Sequence, residues 1–118
     1  MNDFKKLSVW QKAVDFSVNL YQVTDIYPAK EKFGLVSQLN RSCISIASNI
    51  AEGAGRTTIK EFNNFLSFAL GSSYECETQI IISNKLGFLL NKDFENLIGR
   101  ISEIQKMIIG LRNANSCT

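Results

Sequence analysis

Apolar residues recur along this chain at alternating intervals of three and four, which is the period of an amphipathic α-helix. Glycines and the single proline divide this pattern into four segments. None of the four shows the strict alternation that is typical of a half-buried strand. The pattern predicts helices over residues 8–27, 32–53, 58–86 and 91–114.

Residues at the ends of these segments act as helix signals. We expect Ser8 to be the N-cap of the first helix. Pro28 should end that helix, because the residue before a proline disfavours helical backbone. Gly53 and Gly55 should stop the second helix, since glycine adopts the left-handed conformation at little cost. Thr58 with Glu61 forms a capping box that opens the third helix.

Short joints between consecutive helices favour neighbours that run in opposite directions. The chain has 118 residues, of which 45% are apolar and 20% charged, as expected for one globular domain. We therefore predict an all-α, antiparallel up-down-up-down four-helix bundle that spans residues 1–118 as a single domain.

The second and third helices carry polar lines in addition to their apolar seams. These lines alternate small residues with charged or amide side chains, and small residues let another helix approach closely. They consist of Gln38, Arg41, Ser45, Ser48 and Glu52 on the second helix, and Phe68, Ser72, Glu75 and Gln79 on the third.

Two interpretations of these polar lines remain open. The first is a subunit interface, in which Arg41, Glu52 and Glu75 fix the register and the small residues set the distance. The second is an ordinary half-exposed ion pair between Arg41 and Glu75 within one chain, which stabilises by under about 1 kcal/mol.

Charge adds a weak indication of nucleic-acid binding. The formal net charge is +2, and the local basic clusters are Lys5 with Lys6 and Arg56 with Lys60. These four residues are the candidate contacts to RNA or DNA. In a symmetric assembly each small patch is repeated, so five copies would carry about +10, enough for a salt-sensitive contact.

The missing histidines argue against most catalytic chemistry. Without histidine, neither the common general base nor a Glu-x-x-His di-metal centre can be built. We expect no catalytic residue, no cofactor and no metal site. A cluster of Glu52, Glu61 and Glu75 as metal ligands, or a weak anion site formed by Arg56 and Lys60 in the loop before the third helix, remains a distant alternative.

Cys43, Cys76 and Cys117 are widely spaced and form no CxxC pair, which does not support a disulfide framework. Cys43 and Cys76 fall on apolar seam positions and are expected in the core. We expect Cys117 to be an exposed free thiol. No run of about 18 apolar residues occurs and the first residues lack an apolar leader, so we expect a cytoplasmic protein without a membrane partner.

Several stretches of the chain resemble a known family. They are residues 7–13 (LSVWQKA), 33–35 (FGL), 48–53 (SNIAEG) and 69–72 (ALGS). On these residues the chain resembles the four-helix bundle proteins encoded in intervening sequences of bacterial 23S ribosomal RNA. It is also similar to the accessory protein of diversity-generating retroelements. The resemblance implies a homopentameric ring and binding of nucleic acid and of a protein partner, a reverse transcriptase.

The residues and the resemblance together predict a non-enzymatic, oligomeric helical bundle. Its expected role is that of a scaffold or a weak nucleic-acid-binding accessory protein. The alternative is a purely structural protein–protein interaction module without affinity for nucleic acid.

Overall fold

The computed structural model describes residues 3–116, and every regular element within them is helical. Two single-turn 3₁₀ helices, Phe4–Lys6 and Ala29–Glu31, accompany four long α-helices. The long helices are α1 (Ser8–Thr24), α2 (Leu35–Ala54), α3 (Ile59–Lys85) and α4 (Asn91–Ser116). The predicted all-α class with four helices is confirmed.

The four helices pack around one shared core. Helix α1 contacts α2 and α4, while α3 contacts the same two helices, as in a bundle. The molecule measures 47 × 23 × 20 Å, which matches the length of its longest helix. Both Cys43 and Cys76 are buried, as predicted. The largest fully buried side chains include Phe16, Leu20, Leu39, Ile46, Phe62, Leu66, Ile80, Leu97 and Ile101.

Helix α1 is shorter than its apolar seam predicts. The expected cap at Ser8 is wrong, because Leu7 precedes the first helical residue and no side chain caps this end. At the other end the helix stops at Thr24 rather than at residue 27. Continuing it through Pro28 would press the proline ring against the carbonyl four residues earlier, which is that of Thr24. Tyr27 instead packs its ring 5.9 Å from that of Phe88.

Helix α2 begins at Leu35, three residues later than predicted. The intervening residues form the 3₁₀ turn Ala29–Glu31, and Gly34 then departs from helical backbone with φ −109° and ψ −109°. The amide of Leu35 donates to the carboxylate of Glu31 at 3.3 Å. This contact satisfies a backbone donor that a new helix end leaves unpaired.

Of the two glycines predicted to stop α2, Gly55 caps the helix and Gly53 does not end it. The helix continues through Ala54, and the capping residue Gly55 has an ordinary φ of −82°. Gly53 is buried where α3 crosses, and a β-carbon on it would lie 2.6 Å from that of Phe65. The glycine therefore permits a close approach of two helices and does not terminate one.

The remaining helix ends lie close to the predictions. Thr58 accepts a hydrogen bond from the amide of Glu61 at 3.1 Å, which confirms the predicted cap of α3. Gly87, just after α3, has the positive φ of +83° that favours glycine. Helix α4 is described to Ser116 rather than 114, and Asn63 donates to the Ser116 hydroxyl at 3.0 Å. The expectation for Cys117 lies outside the described residues.

Candidate functional site

Lys5 and Lys6 lie near the C-terminal part of α2, although about fifty residues separate them in sequence. They belong to the 3₁₀ turn that precedes α1, and this turn packs against both α1 and α2. Phe4 of the turn lines a groove together with Ala51 of α2. The turn is fixed there by an edge-to-face contact of Phe4 with Trp10, whose ring centroids lie 5.1 Å apart.

Arg56 and Lys60 lie at the same end of the bundle, on either side of the joint between α2 and α3. The Arg56 guanidinium forms an ion pair with Glu52 at 3.0 Å. It also lies 4.7 Å above the ring of Phe65, in a cation–π contact. Arg56 is therefore held in one orientation and its charge is partly balanced. Lys60 is exposed in the first turn of α3 and makes no ion pair within residues 3–116.

Arg112 joins these cations and was missed by the sequence analysis. Its guanidinium donates to the hydroxyl of Ser67 at 3.2 Å, and its carbonyl accepts from Asn63 at 3.3 Å. Both contacts bring the last part of α4 beside the first part of α3. The short joints already predicted this return of the chain, and the same reasoning would have found Arg112.

These cations define the basic end of the molecule. Here and below, the basic end means Lys5, Lys6, Arg56, Lys60 and Arg112. Within residues 3–116, the carboxylates at the same end are Asp3, Glu52 and Glu61, so the positive charges of the described residues outnumber them. Thr58 donates its hydroxyl to Glu61 at 2.9 Å, and Glu52 is engaged by Arg56. The surface left open to a ligand is consequently basic.

The residues of the predicted polar lines on α2 and α3 fall into two groups. Three of them face the seam between the two helices: the Ser45 and Ser72 hydroxyls lie 2.9 Å apart, and Gln79 accepts from Ser42 at 2.8 Å. These three side chains serve packing within the chain. The members that remain exposed are Gln38, Arg41, Ser48, Glu52, Phe68 and Glu75.

The alternative of an ion pair between Arg41 and Glu75 within one chain is not formed. Both side chains are exposed, and the ion pairs of residues 3–116 are Lys12–Glu103 at 3.1 Å and Arg56–Glu52. Neither the Arg41 side chain nor the Glu75 side chain makes a hydrogen bond to another described residue. Two opposite charges on neighbouring helices are therefore both free to contact something else.

An apolar groove between α1 and α2 was not predicted. One part, of about 400 Å³, is lined by small and apolar residues that include Val14, Val18, Ile44 and Ala51. A second part, of about 780 Å³, shares Ile44 and continues to Phe33, whose side chain is 90% exposed. Val18 and Ile44 lie off the core seams of their helices. That position is the signal by which the sequence could have shown a second apolar surface.

Buried titratable groups in the core show no sign of catalytic activation. Burial raises the pKa of the Cys76 thiol from 9.0 to about 12, against a smaller opposing effect of Ser42. Burial likewise raises the pKa of Cys43 and of Tyr27. At neutral pH both thiols are protonated, and the thiolate is the nucleophilic form.

Residues 3–116 contain neither a metal-ligand cluster nor a helix that could span a membrane. No three histidine, cysteine, aspartate or glutamate side chains come together as metal ligands would. Glu52, Glu61 and Glu75 each lie apart, the first two with partners of their own. In the same residues, no helix is both long enough and apolar enough to cross a bilayer.

Comparison with known proteins identifies the family of this chain. The family model described as 23S rRNA-intervening sequence protein matches residues 5–110. The chain belongs to this family. The resemblance noted from the sequence is thereby confirmed, and the match includes Lys5, Lys6, Arg56 and Lys60 of the basic end, while Arg112 lies just beyond it.

A solved structure shares the fold of this 23S rRNA-intervening sequence protein. It is a 1.70 Å crystal structure of a protein of unknown function from the S23 ribosomal protein family of Bacteroides thetaiotaomicron. The two chains superpose with a TM-score of 0.83 at 24% sequence identity, covering 89% of this chain and 95% of the other. A comparison with curated proteins finds no significant match.

Proposed function

We propose that this member of the 23S rRNA-intervening sequence protein family is a non-enzymatic, oligomeric bundle that binds nucleic acid through its basic end. It would act in the cytoplasm as a scaffold or accessory protein. The observation that carries the proposal is the convergence of Lys5, Lys6, Arg56, Lys60 and Arg112, from three separate parts of the chain, on one end of the molecule.

We propose that the helices run up-down-up-down, in antiparallel order. Contacts that rise along one helix and fall along its neighbour support this arrangement. Between α1 and α4, Lys12 meets Glu103 and Asn19 meets Asn96. Between α3 and α4, Arg112 meets Ser67 and Gln105 meets Glu77.

The basic end of one copy is a modest electrostatic site. Lysine and arginine contacts to phosphates act mainly without sequence preference, and their strength rises with the number of phosphates neutralised. A closed ring of copies would present all its basic ends on one side. With five copies, the number that the family resemblance implies, five basic ends would lie next to one another and form a continuous positively charged surface.

The test is a matched pair of triple variants. Lys5→Ala/Lys6→Ala/Lys60→Ala removes three exposed cations from the basic end. Lys30→Ala/Lys85→Ala/Lys92→Ala removes three exposed cations around the opposite joints. Binding of a structured RNA would be measured by fluorescence anisotropy across a salt series. We expect the first variant to bind more weakly and with a shallower salt dependence, and the second to bind like the unmodified protein.

Equal losses in the two variants would contradict the proposed basic end, because binding would then follow total charge alone. Absence of RNA and DNA binding by the unmodified protein at low salt would contradict nucleic-acid binding altogether.

A purely structural protein–protein module is the second candidate. Its specific support is the number of large apolar side chains in solvent, among them Phe33 and Phe68, of which the latter is 58% exposed. Such side chains in a contiguous patch mark interaction surfaces. An assembled protein that binds no nucleic acid at low salt would favour this second candidate.

A further inference from the structure

Two apolar surfaces lie on different faces of the molecule. The first is the α1/α2 groove described above, which runs from Phe4 and Ala51 at the basic end, past Ile44, to Phe33 at the opposite end. Its rim carries the cations Lys32 and Arg41, together with Asp25. The first part of the groove is therefore mainly apolar, whereas the second part mixes apolar side chains with Thr24, Ser37 and Asn40 and has cations in excess on its rim.

The second surface is a ridge on α3. Phe68, Ile82 and Leu86 are exposed on one side of this helix, with Gly71 and Glu75 between them. Their spacing places all five on one face, because residues three, four or seven apart share a side of a helix. A β-carbon on Gly71 would touch nothing within 4 Å, so the ridge is open and narrow at this point. These five residues are called the α3 ridge.

Contacts between α2 and α3 fix the position of the α3 ridge along the bundle axis relative to the α1/α2 groove. Ser72 meets Ser45, and Gln79 meets Ser42. Glu75 therefore lies at the same height along the bundle as residues 42–45, next to Arg41. By the same register, Phe68 lies at the same position along the bundle axis as Ala47 and Ala51 of the groove. Leu86 lies at the position of Leu35, where α2 begins.

These positions match when two copies stand side by side with their long axes parallel, as in a ring whose rotation axis runs along the bundles. The ridge of one copy then faces the groove of the next without any shift along the axis. Phe68 meets the part of the groove that is lined by alanines, and Ile82 and Leu86 meet the part near Val36 and Phe33. The Glu75 side chain, which has no ion-pair or hydrogen-bond partner among residues 3–116 of its own chain, meets that of Arg41, which has none there either.

We propose that the α3 ridge of one copy seats in the α1/α2 groove of a second copy of this chain, with an ion pair between Glu75 and Arg41 across the contact. This contact rests on the proposed function, in which the protein is an oligomer. The α3 ridge and the α1/α2 groove are the two surfaces through which neighbouring subunits of that oligomer bind. Because they differ, the contact is heterologous, and it closes into a ring when the rotation permits.

Charge exchange tests the contact. Arg41→Glu and Glu75→Arg each place like charges against one another, whereas the double variant restores opposite charges with the positions exchanged. Sedimentation equilibrium would measure the assembly. We expect each single variant to raise the dissociation constant by at least about tenfold, since facing like charges are strongly unfavourable in an interface. We expect the double variant to recover most of this loss.

Two further variants separate the contact from general effects. Arg100→Glu makes the same charge change on an exposed position of α4, and it should leave the assembly unchanged. Phe68→Ala should weaken the assembly and lower the thermal stability of the isolated subunit only slightly, because Phe68 is 58% exposed there and loses one edge-to-face contact with Phe65 at 5.5 Å. Circular dichroism would show that every variant keeps its helical content.

Assembly that both single variants leave intact would overturn the proposed contact, as would a double variant no better assembled than the singles. Either result leaves RNA binding by the basic end untouched, so that the two proposals fail separately. An unmodified protein that stays monomeric at micromolar concentration would also overturn the contact, with a different protein then the occupant of the groove.

Discussion

Gly53 and Phe65 mark a close approach of α2 and α3. A β-carbon on Gly53 would lie 2.6 Å from the β-carbon of Phe65 and 3.2 Å from the carbonyl of Phe62. Both of these neighbours are attached to the α3 backbone and cannot rotate away. The same approach places Phe65 beneath the guanidinium of Arg56. Helix packing and the orientation of one basic-end residue therefore depend on a single glycine.

Gly53→Ala should destabilise the protein, although alanine favours helix by about 1 kcal/mol over glycine. The added methyl group forces α2 and α3 apart, and overpacking of this kind costs about 1–3 kcal/mol. We expect a net fall in the free energy of unfolding, measured by urea denaturation. Gly99→Ala is the control, because its β-carbon would meet nothing within 4 Å, and it should stabilise the protein by up to about 1 kcal/mol. Stabilisation by both variants would contradict the close approach.

Thr58→Ala should shorten or loosen the start of α3. The hydroxyl of Thr58 accepts from the amide of Glu61 and donates to its carboxylate. Removal of such a cap costs about 1 kcal/mol of stability. The neighbouring Thr57 is exposed and makes no hydrogen bond within residues 3–116, so Thr57→Ala is a matched control. Equal unfolding midpoints for the two variants would show that the cap contributes nothing.

Stability should fall in alkaline solution through the buried thiol of Cys76. Its pKa is raised from 9.0 to about 12 in the folded chain, so that the unfolded chain loses a proton that the folded chain keeps. The stabilisation is complete below pH 9 and is lost as the pH rises towards 12. The expected slope is about 1.4 kcal/mol per pH unit for this group.

Cys76→Ala should reduce that slope, leaving the part that comes from Cys43 and Tyr27, whose pKa values are also raised by burial. The measurement is the free energy of unfolding between pH 8 and about 11, the range in which this linkage acts. A variant with the full slope of the unmodified protein would show that Cys76 does not hold its proton in the folded state.

The apolar seams were predictable, because a helix with one buried face carries apolar residues at intervals of three and four. This pattern is visible in a single sequence. The Thr58 cap and the burial of Cys43 and Cys76 followed from the same pattern. The role of Gly53 did not, because a glycine that ends a helix and a glycine that admits a neighbouring helix look alike in sequence. Only the position of Phe65 across the joint distinguishes them.

The candidate site was predictable in part. Lys5, Lys6, Arg56 and Lys60 were recognised as local clusters, but their convergence depends on the packing of the first 3₁₀ turn against α2. Three of the nine residues on the polar lines of α2 and α3 were misjudged for a related reason. Small polar residues such as Ser45 and Ser72 suit both a seam within the chain and a contact between chains, and their 2.9 Å separation shows that they form the former.

The salt dependence of binding to duplex DNA tests most directly whether several copies present their basic ends together. On a duplex, the logarithm of the binding constant falls with the logarithm of salt by about 0.9 for each phosphate neutralised. The five cations of one basic end can therefore give a slope no steeper than about −4.5. We predict a steeper slope, because neighbouring copies contribute to the same contact. A shallower slope, or no binding at low salt, would contradict the account.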